Sequence, residues 1–373
     1  MKFRLNDLAE VGSSKRIYAK EYKSSGIPFY RGKEIIAKSE GRKIDNSLFI
    51  SKDRYNTLLK KSGVPKENDI LISAVGTIGK VYHVAKSDIP FYFKDGNLIR
   101  IYNYNYSLID PYYLYYLLKS YCGQNAIRKI EIGSTQKAIT INELSSIVLD
   151  IPSLQKQQEI SNKLKKIDAL ISVNSEINDN LLDIAQNIYH RILFSPQITK
   201  TNLRSFATVV MGQSPSSKTY NENKIGIPLL NGAADFRNGI QPSKWTTDPK
   251  IIVNKGAYIF GVRATIGLTA KVSKPYAIGR GTGSAIPKDV NNEEILYFIL
   301  NDMFKKFEQT ESGSVYINIS KNDFENYRFN IPDRNGLLFF HEKVKPIMDQ
   351  IYIYKKQNKI LQAIKAALLS KIF

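Results

Sequence analysis

Cations, amides and hydroxyls recur in short, glycine-bearing stretches along this chain. In the first half they are Lys15 and Arg16 after a serine pair, Arg31 and Lys33 around Gly32, and Thr77 and Lys80 in Gly76-Thr77-Ile78-Gly79-Lys80. Ser134, Gln136 and Lys137 follow in Gly133-Ser134-Thr135-Gln136-Lys137. In the second half they are Gln213, Ser214 and Lys218, then Asn231, Arg237, Arg263, Thr265 and Arg280. Arginine and lysine match the acceptors on a guanine edge, and asparagine or glutamine the mixed pattern of adenine. Serine and threonine suit phosphate oxygens. The chain carries 54 Lys+Arg against 34 Asp+Glu, a net charge of +20. Such an excess repels itself unless a polyanion or solvent offsets it. Nucleic acid is the first candidate for that polyanion and an anionic membrane the second.

Other chemistry has weaker support. Gly279-Arg280-Gly281-Thr282-Gly283-Ser284 lacks the Gly-Lys-Ser/Thr ending of a phosphate loop and reads as a turn between strands. Asp110-Pro111-Tyr112-Tyr113 lacks the second proline of an adenine-methyltransferase signature and reads as a capped helix start. The single cysteine, Cys122, excludes an internal disulfide and a thiolate cluster. His83, His190 and His341 are too far apart for metal-ligand spacing and are expected to be structural. Charge at Lys2 and Arg4 argues against a signal peptide, and no apolar run approaches the roughly 18 residues of a membrane span. A cytoplasmic location is expected.

These stretches need a scaffold, and the chain states it twice. Ile151-Pro152 recurs as Ile331-Pro332 and Gly133-Ser134 as Gly313-Ser314, at an offset of 180; Thr77-Ile78-Gly79 recurs as Thr265-Ile266-Gly267 at 188, and Ile27-Pro28 as Ile227-Pro228 at 200. A drifting offset indicates two related folding units that differ by small insertions. Residues 1–150 mix strand-like runs (Asp69–Val75, Leu98–Ile101) with a helix over Asp110–Tyr121, and 196–330 repeat the pattern with a strand at Ala257–Val262 and a helix at Ile295–Leu300. Residues 151–195 are a helical spacer whose seam runs Leu164, Ile167, Ile171, Asn174, Asn178, Leu181, Ala185, Ile188, Ile192. Uninterrupted, it would span roughly 60 Å at 1.5 Å per residue. Residues 331–373 are a second spacer with the seam Val344, Ile347, Ile351, Tyr354, Asn358, Leu361, Lys365, Leu368, Ile372, and Pro346 is expected to break or kink it. The expected fold is therefore α+β: two tandem pseudo-symmetric repeats, each a globular α+β domain followed by a long helix. The two helices are expected to pack as an antiparallel coiled coil, although periodicity alone leaves a parallel pairing open.

Taken in order, Asp69-Ile70-Leu71-Ile72 through Gly79-Lys80, then Gly133 to Lys137, Ile151-Pro152, Gln157-Gln158-Glu159-Ile160 and Gly212-Gln213-Ser214-Pro215-Ser216 resemble the specificity subunit of type I restriction–modification enzymes over the whole chain. The second half departs from that pattern with Val315-Tyr316 after Gly313-Ser314, and with Arg334-Asn335-Gly336-Leu337 where the first has Gln155-Lys156-Gln157-Gln158. The resemblance implies a non-catalytic subunit in which each recognition domain reads one half of a bipartite, asymmetric duplex site. The helices would set the gap and dock two methyltransferase subunits, which carry S-adenosylmethionine and flip the target adenine. Restriction subunits using ATP and magnesium would join the same core. A non-specific nucleic-acid scaffold is the alternative, with 23 tyrosines and 17 phenylalanines available for stacking. A coiled-coil adaptor without a DNA role, and the recognition part of a fused methyltransferase, are further readings.

Overall fold

The computed structural model describes residues 1–42, 44, 48–133, 137–237, 239–262, 268–310 and 320–373. The chain divides into two compact units, Met1–Val173 with Gln357–Phe373, and Asn174–Lys356. Each unit thus takes one α+β domain together with a stretch of both long helices.

In the first unit the order is β1 (Lys2–Arg4), α1 (Leu5–Leu8), β2 (Glu10–Gly12), β3 (Ile27–Tyr30), α2 (Gly32–Ser39), β4 (Phe49–Ile50), α3 (Lys52–Lys61), β5 (Ile70–Ser73), β6 (Val81–His83), β7 (Tyr92–Phe93) and β8 (Leu98–Tyr102). Then come α4 (Pro111–Lys119), α5 (Tyr121–Lys129), α6 (Ile141–Ser146) and β9 (Val148–Asp150). A four-stranded sheet runs β2-β8-β5-β6, a three-stranded sheet β4-β3-β7, and β1 pairs with β9. Strand β5 reads Ile-Leu-Ile-Ser and is buried on both faces, which explains its continuous apolar run. Ile70 and Ile72 enter a core with Leu114, Leu117 and Leu118 of α4, while Leu71 faces a second core with Tyr30, Phe91 and Phe93. The expected helix over Asp110–Tyr121 starts as read, with the Asp110 carboxylate accepting the Tyr113 N–H at 2.8 Å and Pro111 in the first turn. It divides at Ser120, however. That residue is extended, and its hydroxyl donates to the Leu117 carbonyl and accepts the Gly123 N–H, so it closes one helix and opens the next.

After the long helix α7 (Leu154–Ile192), the order in the second unit is β10 (Ile198–Asn202), α8 (Leu203–Phe206), β11 (Ala207–Met211), β12 (Tyr220–Asn221), β13 (Ile227–Leu230), β14 (Lys244–Thr246) and β15 (Ile252–Val253). Then come β16 (Tyr258–Gly261), β17 (Thr269–Lys271), β18 (Tyr276–Ile278), β19 (Thr282–Pro287), α9 (Glu293–Thr310), α10 (Lys321–Asn326) and β20 (Arg328–Pro332). The sheets repeat those of the first unit. The four-stranded sheet is β11-β19-β16-β17, the pair is β10-β20, and the β3–β7 parallel pairing returns as β13–β18 inside a five-stranded sheet, β12-β14-β13-β18-β15. The turn expected at Gly279–Ser284 is confined to residues 279–281, and its last three residues open β19.

The helices α7 (Leu154–Ile192) and α11 (Arg334–Ile372) have 39 residues each. Helix α11 continues through Pro346, which corrects the expected break. Proline removes one backbone donor, but Pro346 lies on an exposed side while its neighbours Val344 and Ile347 pack on the apolar core. In the first unit the two helices run antiparallel: Asp168 meets Lys365 at 2.5 Å, and three residues further along α7 the Ile171 carbonyl accepts from Asn358, seven residues back along α11. Leu164 is fully buried there, Ile167, Ile171, Leu361 and Leu368 are half-buried, and the end of α11 packs on the α4 core. In the second unit Ala185, Tyr189 and Ile192 of α7 join Phe340 and Val344 of α11 in one core, with Ile188 and Ile347 against it. Asn178 and Ile351 are buried and Leu181 is half-buried.

The junctions into the helices differ. Gln157 is fully buried; its side chain accepts the Asp110 N–H and donates to the carbonyls of Leu108 and Pro152. Position 337, at the 180 offset, is a leucine packed on the apolar core. One junction is held by amide hydrogen bonds and the other by burial.

Candidate nucleic-acid interface

Both domains bring three loops to one place, at the C-terminal ends of the parallel strand pair. In the first domain these are residues 13–16 after β2, Arg31 after β3, and the 94–97 turn after β7. The Lys94 N–H donates to the Tyr30 carbonyl at 2.9 Å. The Ser14 hydroxyl donates to the Phe93 carbonyl, the Ser13 hydroxyl to Leu98, and the Lys15 N–H to the Tyr92 hydroxyl. In the second domain the loops are residues 212–218 after β11, Asn231 after β13, and the 279–281 turn after β18. The same closing bond recurs: the Gly279 N–H donates to the Leu230 carbonyl at 2.9 Å. The Gln213 N–H donates to Ile278. Gly212 and Gly279 make this closure possible, because a Cβ would lie 2.1 Å from the Gly279 carbonyl oxygen in the first case and 2.0 Å from Asn231 Oδ1 in the second.

The polar groups at the two clusters are held differently. Arg31 forms a fork on the buried Glu34, with Nε and Nη2 donating at 3.3 and 2.8 Å, and the Arg31 N–H caps the same carboxylate. Burial alone would push Glu34 up; the hydrogen bonds from Arg31 outweigh it and hold the carboxyl below its usual value. Arg16 pairs with Asp95 at 3.0 Å, and Lys15 and Lys33 are exposed. In the second domain Asn231 Oδ1 accepts from the Ser214 hydroxyl at 3.4 Å, and Ser214 Oγ accepts the Arg280 N–H at 3.2 Å. Among the described residues, no ion pair involves Lys218, Arg237 or Arg280, and all three are exposed.

The clusters therefore gather Lys15, Arg16 and Arg31 in one domain, and Gln213, Ser214, Asn231 and Arg280 in the other. Lys33 is two residues along α2 from Arg31, its ammonium 3.6 Å from Glu34. Lys218 and Arg237 lie further along the loops that follow β11 and β13. Thr77, Lys80 and Lys137 form a separate group in the first domain, where Val75 and Ile132 both bridge to Ala138. There Lys80 is paired with Glu40 and Lys137 with Glu131. Ser134, Gln136, Arg263 and Thr265 lie outside the described residues, as do Gly267 and Gly313–Ile319 of the repeat motifs.

Sequence reading missed Glu34 and Asp95, the carboxylates that hold Arg31 and Arg16. The i,i+3 spacing of Arg31 and Glu34 was a usable signal; Asp95, 79 residues from Arg16, offered none. Among the described residues, no group of three or more metal-ligating side chains forms and no helix is long and apolar enough to cross a membrane.

Tandem α+β modules, each with its cluster of basic and amide-bearing loops and its own long helix, define a class of two-domain proteins built by duplication. The family model described as "Type I restriction modification DNA specificity domain" matches residues 1–182 and again 198–368. The chain belongs to that family and is a type I restriction–modification specificity subunit with two tandem specificity domains. It is similar to the MjaIX specificity subunit of Methanocaldococcus jannaschii, 24% identical over 413 residues, covering 99% of this chain and 91% of the relative. The HindI specificity subunit of Haemophilus influenzae is 20% identical, covering 82% and 86%. The crystal structure of an S subunit from M. genitalium shares the fold with a TM-score of 0.62 at 16% identity, covering 100% of this chain and 96% of that one. Family membership disfavours the non-specific scaffold.

Proposed function

We propose that each recognition domain reads one half of a bipartite duplex site through its three-loop cluster, and that α7 and α11 hold the two readers at a set separation. The observation that carries this reading is the duplicated closing bond, Lys94 to Tyr30 and Gly279 to Leu230, which builds the same loop cluster twice around different side chains. A framework repeated with altered polar residues suits two half-sites of different sequence.

The chain supplies recognition and no chemical step. Exposed Lys15, Lys33, Lys218 and Arg237 are placed to meet phosphates, and residues at the cluster centres to meet base edges. Thr77, Lys80 and Lys137 form a second phosphate-binding candidate, and Arg16 becomes available only as Asp95 releases it. Two methyltransferase subunits dock along the helices in the cytoplasm and bring S-adenosylmethionine; base extrusion is theirs. ATP and magnesium enter with restriction subunits.

Domains that read one face of a duplex lie about one helical turn apart, roughly 34 Å. Removing one heptad from each of α7 and α11 is therefore expected to shorten the preferred gap or abolish methylation. Mapping methylated adenines by sequencing, in a host that otherwise lacks the modification, reads both the site and the gap. Methylation at an unchanged gap would overturn the spacer role.

A further inference from the structure

The residue that follows the central parallel strand occupies the same place in both domains, yet it is Arg31 in one and Asn231 in the other. Tyr30 and Leu230 each end that strand, and each carbonyl takes the closing N–H from the turn opposite. In both cases the side chain is restrained by a neighbour that leaves one recognition edge open.

For Arg31, the Nε–Nη2 side of the guanidinium is occupied by Glu34. The end-on edge, Nη1 with the second hydrogen of Nη2, has no partner among the described residues. That edge offers two parallel donors, which is the complement of guanine O6 and N7. Glu34 is only 4% exposed, so its side chain is packed in place and fixes the plane of the guanidinium. For Asn231, one lone pair of Oδ1 takes the Ser214 hydroxyl, and the second lone pair and Nδ2 have no partner among the described residues. The Asn231 N–H is tied to Asp235 at 2.8 Å, and its side chain lies against the backbone of Gly279. An open acceptor beside an open donor is the complement of adenine N6 and N7.

We propose that Arg31 reads a guanine in one half-site and Asn231 an adenine in the other, with Glu34 and Ser214 as their positioning residues. The proposal rests on the DNA-reading function above and assigns its two central contacts. A bidentate pair orders the bound edge in one plane, so each contact discriminates at a single base pair and leaves the remaining positions untouched. Lysine in place of Arg31 keeps the charge and loses the fork.

The test is selection of bound duplexes from a randomised pool at fixed salt, using the full chain with its methyltransferase partner. The wild type is expected to enrich a two-part consensus with an invariant guanine in one half and an invariant adenine in the other. R31K should lower the preference for that guanine roughly tenfold, and N231S that for the adenine, each with the other half unchanged as an internal control of folding. E34Q and S214A should weaken the same two preferences without moving the rest of the consensus, which a purely structural role would not do. If R31K disturbs folding and loses both halves, the double variant R31Q/E34Q, which leaves no buried carboxylate without its cation, decides the point by the same readout. Unchanged base frequencies in these variants, or a wild-type consensus without the two bases, would overturn the assignment while leaving the function standing. A pool with no consensus for the wild type would instead overturn the DNA-reading function itself.

Discussion

The two recognition domains place the same strands in the same register and fill equivalent positions with opposite solutions. Ile70 pairs with His83 in the first and Tyr258 with Lys271 in the second; Leu71 pairs with Arg100 and Ile259 with Ser284. Arg100 and Asp69 form a buried ion pair at 2.7 Å, and Arg100 also lies 4.3 Å from the centre of the Tyr102 ring. Their counterparts, Ser284 and Ala257, are buried with no charge at all. His83 is packed against the ring of Tyr112 at 4.1 Å, whereas Lys271 stays at the surface on Glu293. Arg16 and Arg31 of the first loop cluster are held by Asp95 and Glu34, while Arg280 of the second has no ion pair among the described residues. What the duplicated halves share is backbone pairing and apolar burial, and the polar groups on that frame have diverged freely.

The largest effect expected from breaking this contrast is at the buried pair. Arg100→Ser leaves the Asp69 carboxylate buried alone, a loss of about 3–5 kcal/mol in the first domain. Burial already pushes Asp69 up against the pull of Arg100. Adding Asp69→Ala reproduces the second domain's residues and is expected to restore a good part of the loss. Hydrogen exchange over β5 and β8 measures both variants, and a double variant no more protected than Arg100→Ser alone would mean the two domains are not interchangeable at this point.

A somewhat smaller effect should appear with pH. Burial pushes the His83 imidazole down to about 4, against weaker pulls upward from Asp88 and Asp110, and its Nε2 has no hydrogen-bond partner among the described residues. Unfolded, the ring takes its proton near pH 6.5. Between those values the unfolded chain binds the extra proton, so stability falls as pH drops from 6.5 towards 4, by about 3 kcal/mol in all. The second domain has Lys271 there and lacks this window. Urea titrations at pH 7 and pH 4.5, with His83→Phe as control, should show the first domain's acid sensitivity reduced in the variant.

The smallest expected difference lies in the helices. Asn358 donates to the Ile171 carbonyl at 3.2 Å, whereas the buried Oδ1 of Asn178, at the equivalent heptad position, has no partner among the described residues. Asn178→Leu is expected to stabilise by about 1 kcal/mol and Asn358→Leu to destabilise by a similar amount. Thermal melts of the two variants that shift in the same direction would remove the distinction.

Much of the frame was legible before any coordinates. The Ile27-Pro28 and Ile227-Pro228 repeats open the matching strands β3 and β13, the heptad positions are buried or half-buried ones of α7 and α11, and Asp110-Pro111 does open a helix. Local chemistry carried those readings, since periodicity and capping act within a few residues. Pro346 was misread because a rule for isolated helices ignores the tertiary packing of Val344 and Ile347 beside it.

Sequence alone determined the duplication, the α+β character and the two helical spacers, because these follow from patterns repeated along one strand of text. Tertiary structure decided which candidate cations are already engaged, that Gln157 is a buried pin, and that Arg31 and Asn231 stand at one equivalent point. Those outcomes depend on groups such as Asp95 and Arg16, or Ser214 and Arg280, that are distant in the chain and become neighbours only when the sheets close.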